Sequence, residues 1–239
     1  DPVIGADGKF TNTSDTINTS QAGGPTTFGT NSQMITEQEG VRFTYVTGAR
    51  QNVTIPNLDQ TEADVEANAD FAAYFGARSG QFDVVQLQSG KSAQVRVTTI
   101  NNVGDGAGAL FVDGYADDAS ETIALSRLQV IDTATGAVLA DSTGSPNANG
   151  LVITLATGLI TGVKAGQTIV YTTATDHNRV LVENGAATNA SGNTHADFDI
   201  GGFMLLQQTT DVQEIGSKMI FEDDGPITSL EPSTPLGTT

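Results

Sequence analysis

The sequence has no cysteine and no tryptophan, and only four tyrosines. Without cysteine there are no disulfides, no thiol nucleophile and no cysteine-built zinc site. Cytosolic proteins ordinarily hold a few buried thiols, and secreted eukaryotic modules hold disulfides. A cysteine-free, acidic chain rich in Gly, Thr and Asn suits instead a bacterial protein exported to the cell surface or the medium. Positive charge is also scarce: 10 Lys and Arg stand against 28 Asp and Glu, a formal net charge of −18. The cations are scattered singly, so the chain lacks the basic patch that a phosphate backbone or an anionic membrane surface requires. No nucleic-acid partner is expected. No apolar run reaches the roughly 18 residues of a membrane-spanning helix, and no membrane insertion is expected. No basic-then-apolar leader opens the chain at Asp1-Pro2-Val3. The expectation is a piece of a longer protein, or export directed by a distant C-terminal signal.

What is present is a series of short β-prone stretches across 239 residues, enough chain to bury a core without staples. Val41 to Val46, Phe82 to Leu87 and Gln94 to Ile100 alternate apolar and polar residues with a period of two. Ser89-Gly90-Lys91 between the last two reads as a hairpin turn. Ile123 to Ile131 runs through a Gly136-closed turn into Val138-Leu139-Ala140, a second hairpin. Ala109 to Val112, Leu151 to Leu155, Thr168 to Thr172, Val180 to Glu183, Phe198 to Leu206 and Lys218 to Phe221 complete the strands. Turn residues about every 8–12 positions predict an all-β sandwich. Residues 57–75 differ: Leu58, Val65, Ala69, Ala72 and Phe75 have near-helical spacing, and Asp59 with Glu62 suits a capping box. One short helical insertion is expected there. Residues 1–32 read as an irregular N-terminal segment packed on or leading into the domain. Residues 33–226 read as the sandwich, and 227–239 as a linker or tail.

Catalytic patterns are missing. There is no G-x-S-x-G elbow, and Gly104-Asp-Gly106-Ala-Gly108 runs into a strand signal, not a phosphate-cradling helix. The two histidines, His177 and His195, lack the spacing of a zinc site and read as polar residues at strand ends. Generic carboxylates alone do not make a glycosidase, and tryptophan sugar platforms are absent. No catalytic residues are assigned and no enzymatic activity is expected.

Calcium is the chemistry these residues support, because it takes six to eight oxygens from carboxylates, amides and carbonyls. The candidate ligands are Asp113, Asp117 and Asp118, with Glu121 close behind; Asp176 and Asn178; Asp197 and Asp199; and Glu222, Asp223 and Asp224. In a strand Asp197 and Asp199 share one face, while Phe198, Ile200 and Gly202 share the other and enter the core. The expected architecture is therefore a calcium-stabilised β-sandwich.

The stretch Lys218-Met-Ile-Phe-Glu222-Asp-Asp-Gly-Pro226 resembles the boundary signature between tandem modules of giant type I-secreted RTX adhesins. Thr175 to Asn184 and Ala196 to Phe203 also resemble segments of such modules. The resemblance covers roughly residues 168–226. It implies an extracellular, bacterial-surface location, calcium-dependent folding and neighbouring adhesin domains as partners. Such adhesins hold roughly hundred-residue extenders and a few larger ligand-binding domains. The length here points to a binding domain for a peptide or glycan on another cell. A structural extender or spacer is the alternative. The Asp113–Asp118 loop and the Asp176–Arg179 segment are the expected pocket, with Tyr115, His177 and Arg179 as ligand contacts and Arg179 able to grip a carboxylate.

Overall fold

The computed structural model describes residues 3–4, 10–11, 17–20, 26–30, 33–49, 71–88, 90–104, 106–107, 120–148, 150–188 and 190–206. All lie within the compact unit Asp1–Gln208. The strands are β1 (Val3–Ile4), β2 (Phe10–Thr11), β3 (Asn18–Ser20), β4 (Thr27–Gly29), β5 (Gly40–Thr44), β6 (Val46–Thr47), β7 (Ala73–Tyr74), β8 (Ala77–Leu87) and β9 (Ala93–Ile100). They continue with β10 (Thr122–Ile123), β11 (Leu125–Asp132), β12 (Val138–Asp141), β13 (Gly144–Asn147), β14 (Val152–Thr154), β15 (Leu159–Val163), β16 (Gln167–His177), β17 (Arg179–Asn184) and β18 (Phe198–Leu206). One 3-10 turn, Leu155–Thr157, joins β14 to β15. No helix among the described residues is long and apolar enough to cross a membrane.

Two antiparallel sheets form the sandwich. The larger has the order β13-β12-β11-β16-β8-β18-β4-β3; the smaller has β14-β15-β9-β17-β5, with β10 also paired to β9. Alternation explains the packing. Val95 and Val97 of β9, and Val180 and Val182 of β17, turn inward from the smaller sheet, while Phe82, Val84, Val130, Ile169 and Ile200 meet them from the larger. These side chains are at most 1 % exposed.

The hairpin expected at Asp132–Gly136 forms: β11 pairs with β12, and Asp132 Oδ1 accepts from both the amide and the hydroxyl of Thr135, at 2.8 and 2.7 Å. The hairpin expected between β8 and β9 does not. Both edges of β8 are already taken, by β16 and β18, so the chain at Gln88–Ser92 crosses to the other sheet. Ala73–Tyr74, at the end of the stretch with helical spacing, is a strand paired with Val46–Thr47. It is fixed by Ala72 N–H to Thr47 O (2.9 Å) and Phe75 N–H to Tyr45 O (3.1 Å). Residues 57–70 lie outside the described residues, as do the strands expected at 109–112 and 218–221.

Strand β18 keeps its expected bounds but not its simple alternation. Its partner jumps from Asp199↔Gln86 to Ile200↔Val84, leaving Val85 as a bulge on β8, and a second shift follows between Gly201 and Met204. Phe198 and Ile200 enter the core as expected, but Gly202 lies beside Asp83. Beyond the second shift Phe203 and Leu205 pack against the core, and Met204 is half exposed.

Candidate functional site

Register fixes which segments share an end of the sandwich. Arg179, the first residue of β17, sits opposite both Thr44 and Ile100, the last residues of β5 and β9. His177, the last residue of β16, sits opposite Ala77, the first of β8. One end therefore gathers the crossover Asp176–Arg179 and the roots of the two longest connections, one between β6 and β7 and the other between β9 and β10. The limbs of the first touch at Gly48, where an added Cβ would lie 2.8 Å from Ala72 Cβ. The limbs of the second are tied by Asn101 N–H to Glu121 O (3.0 Å) and Val103 N–H to Glu121 Oε1 (2.9 Å).

The four crossover residues have four different environments. The Asp176 carboxylate is exposed, and Arg78 Nε–H donates to its Oδ1 at 2.8 Å. His177 is fully buried. The Asn178 amide pairs with the main chain of Asn102: Asn102 N–H donates to Oδ1, and Nδ2–H donates to Asn102 O, both at 2.8 Å. Arg179 is also fully buried, and its Nε–H reaches Thr44 Oγ1 at 3.2 Å.

A chain of hydrogen bonds beneath this end joins the two sheets. Tyr171 and Tyr45 hydroxyls are 2.8 Å apart, and Tyr45 Oη lies 3.2 Å from His177 Nε2. Thr173 Oγ1 lies 2.9 Å from His177 Nδ1 and 2.7 Å from Thr175 O. Counting protons orders the chain. The Thr173 hydroxyl has one hydrogen, and the carbonyl of Thr175 needs it, so Nδ1–H of His177 donates to Thr173. Nε2 is then an acceptor, Tyr45 donates to it, and Tyr171 donates to Tyr45. Burial pulls the His177 pKa down to about 4, against a smaller opposing pull from the Asp176 charge. Burial, and then the neighbouring Tyr171, push Tyr45 upward; burial does the same to Tyr171. The network is neutral across ordinary pH. Gly80 makes room for it, since a Cβ there would sit 2.3 Å from Tyr171 Oη.

The Asp197 and Asp199 carboxylates have separate surroundings. Asp199 is 3 % exposed, and its Oδ1 accepts the Gln86 N–H at the β8 bulge, at 2.6 Å. Burial raises its pKa, while the bonds from Gln86 and the Thr27 side chain oppose the rise. Asp197 precedes the strand, 3.4 Å from Gln88 Nε2. Burial and then the Glu37 charge push its carboxyl upward, with Lys91 and His195 opposing. Asp113, Tyr115, Asp117, Asp118, Glu222, Asp223 and Asp224 lie outside the described residues. Among the described residues, no group of three or more His, Asp or Glu side chains is arranged to hold a metal ion.

Other polar groups carry weight without a sequence signal. Asp141 is buried on β12, one strand in from the edge of the larger sheet, where Arg127 Nε and Gln129 Nε2 donate to it at 3.2 and 3.0 Å, and Thr143 donates through its amide and hydroxyl. The Arg127 guanidinium holds the Asp141 carboxyl well below the usual range. Tyr45, Tyr171 and Thr173 were equally silent. Tyr45 and Tyr171 are both buried in the core, and nothing in the sequence pairs one with the other. No protein-family model, curated protein or solved structure matches this chain.

Proposed function

We propose that this chain is a calcium-dependent ligand-binding module of a bacterial surface adhesin, taking a peptide or glycan at the end of the sandwich that carries the crossover. The observation behind this reading is the convergence of the Asp176–Arg179 crossover with the roots of both long connections. Sandwich proteins bind most readily through loops gathered at one end of a rigid scaffold. The connection from β9 to β10 contains Asp113, Tyr115, Asp117 and Asp118, and its described limbs leave the sandwich at the end that carries Asp176. Of the described candidate ligands, Asp176 is exposed and paired with Arg78, Asp197 is half-buried beside Gln88, and Asn178 and Asp199 are engaged with main-chain groups. The carboxylates of the Asp113–Asp118 stretch are the proposed donors to the ion. Such an ion would lower the self-repulsion of a chain of net charge −18 and offer a contact for a ligand carboxylate or vicinal hydroxyls. The boundary-like stretch Glu222 to Pro226 supports membership of a longer surface protein, and no catalytic role is assigned. The test is a peptide and glycan array probed in calcium and again in EDTA. Binding in calcium that is lost in EDTA is expected. Absence of any calcium-dependent binder would favour the spacer role.

A further inference from the structure

We infer that Asn178 is the positioning residue of this binding end, holding the connection between β9 and β10 by its root and not ligating the ion itself. The inference rests on the binding role proposed above. Asn178 is buried and so is Asn102, 6 and 3 % exposed. The Asn178 amide gives one hydrogen bond to the Asn102 peptide groups and takes one from them, both at 2.8 Å. Two strands exchange the same pair of bonds; here a side chain supplies the partner where β9 has ended. The Asn178 main chain is used as well. Its N–H donates to Ile100 O at 3.0 Å, and its O accepts the Tyr45 N–H at 2.8 Å. One residue therefore ties the outgoing limb at Ile100 and Asn102 to the chain leaving β5. The returning limb joins through Glu121, whose carboxylate and carbonyl hold Val103 and Asn101. Beyond the end of β9, the outgoing limb is thus joined to the crossover by the Asn178 side chain, and the returning limb is joined to the outgoing one through Glu121.

A ligand and a positioning residue respond in opposite ways to Asn178→Asp. Added negative charge on a direct ligand tightens calcium binding. In the positioning role, a carboxylate oxygen replaces the Nδ2 donor against Asn102 O. The pair is broken and the root loosens. Amide hydrogen exchange on the full chain, in calcium and in EDTA, reads the root directly. The Asn102 and Val103 amides of the wild type are expected to be protected in both conditions. In Asn178→Asp their protection falls at least tenfold while the amides of β8 and β16 keep theirs, and calcium affinity by calorimetry falls at least tenfold. Tighter calcium binding in Asn178→Asp, retained protection at Asn102, or lost protection with unchanged calcium affinity would each overturn the positioning role. Should the variant not fold, the wild type still decides: an Asn102 amide exchanging as fast as in the unfolded chain refutes the pairing. A wild type that binds no calcium sinks the binding role instead, and the exchange data tell the two failures apart.

Discussion

Lowering the pH from about 7.5 to about 5 charges His177 in the unfolded chain and leaves it neutral in the folded one. The folded imidazole is fully buried between Tyr45 and Thr173, and its pKa is pulled down to about 4. In the unfolded chain it titrates near 6.5. Between these values the unfolded state binds more protons, so stability falls as pH falls. The neutral network contributes fully above pH of about 6.5, and its loss is complete below about 4. A gap of about 2.5 pH units corresponds to about 3 kcal/mol, of which about 2 kcal/mol has gone by pH 5. Two carboxyl groups respond with the other sign. Asp197 and Asp199 have raised values, so their burial penalises folding at neutral pH and is relieved on acidification. Asp141, with its depressed value, gives stability that is complete above the ordinary carboxylate range and lost only at lower pH. A variant cancels these shared terms. The His177→Gln side chain keeps a donor group and an acceptor group but has no titratable charge. Urea unfolding of wild type and His177→Gln, followed by circular dichroism at several pH values, gives the difference in stability. That difference should shift by about 2 kcal/mol against the wild type between about pH 7.5 and pH 5. A difference independent of pH would refute the reasoning.

Three further outcomes are expected. Asp199→Ala leaves the Gln86 N–H at the bulge without its acceptor and should cost about 1–3 kcal/mol, equally in calcium and in EDTA; a loss seen only in calcium would show that the carboxylate holds an ion. Gly80→Ala drives a methyl group to within 2.3 Å of Tyr171 Oη and should cost about 1–3 kcal/mol, with part of the loss recovered in the double variant carrying Tyr171→Phe; strictly additive denaturation energies would dismiss that clash. Millimolar calcium should raise the melting temperature of the wild type, by the equivalent of about 2.7 kcal/mol at a hundredfold excess over Kd, and identical calorimetric melts in EDTA would exclude a calcium site coupled to folding.

The sequence was legible where a single strand decided the outcome. Period-two alternation located β5, β8 and β9, short β-prone runs located β11, β16, β17 and β18, and Gly136 located one turn, because each signal depends on residues that are neighbours in the chain. It failed where a second strand decided. Nothing in Gln88 to Ser92 tells that both edges of β8 are occupied, so a sheet-to-sheet crossing looked like a hairpin. Nothing in Phe198 to Leu206 tells that β18 itself carries an extra residue between Gly201 and Met204, so the alternation was read one residue too far. The candidate site divides in the same way. The stretch Asp176-His-Asn-Arg179 stood out by composition, but its residue types suggested a polar surface loop. Three of the four side chains are buried, because the chain here passes between two sheets and needs polar groups to replace the ladder bonds it gives up.

That replacement links the core to the proposed binding end. A loop is held no more firmly than its root, and roots with few buried contacts open locally long before the domain unfolds. His177 ends one strand inside a neutral hydrogen-bonded chain that spans both sheets, and the next residue, Asn178, carries that anchorage to Asn102. Two consecutive residues therefore do different work. The first opposes separation of the sheets, and its loss lowers global stability. The second opposes local opening at one end, and its loss frees a root while the sandwich stays folded. Acid acts on the first of these alone, since Asn178 and Asn102 do not titrate. Ligand lost through a change at His177 should therefore follow the unfolding curve of the whole domain, whereas ligand lost by change at Asn178 should occur with the sandwich intact.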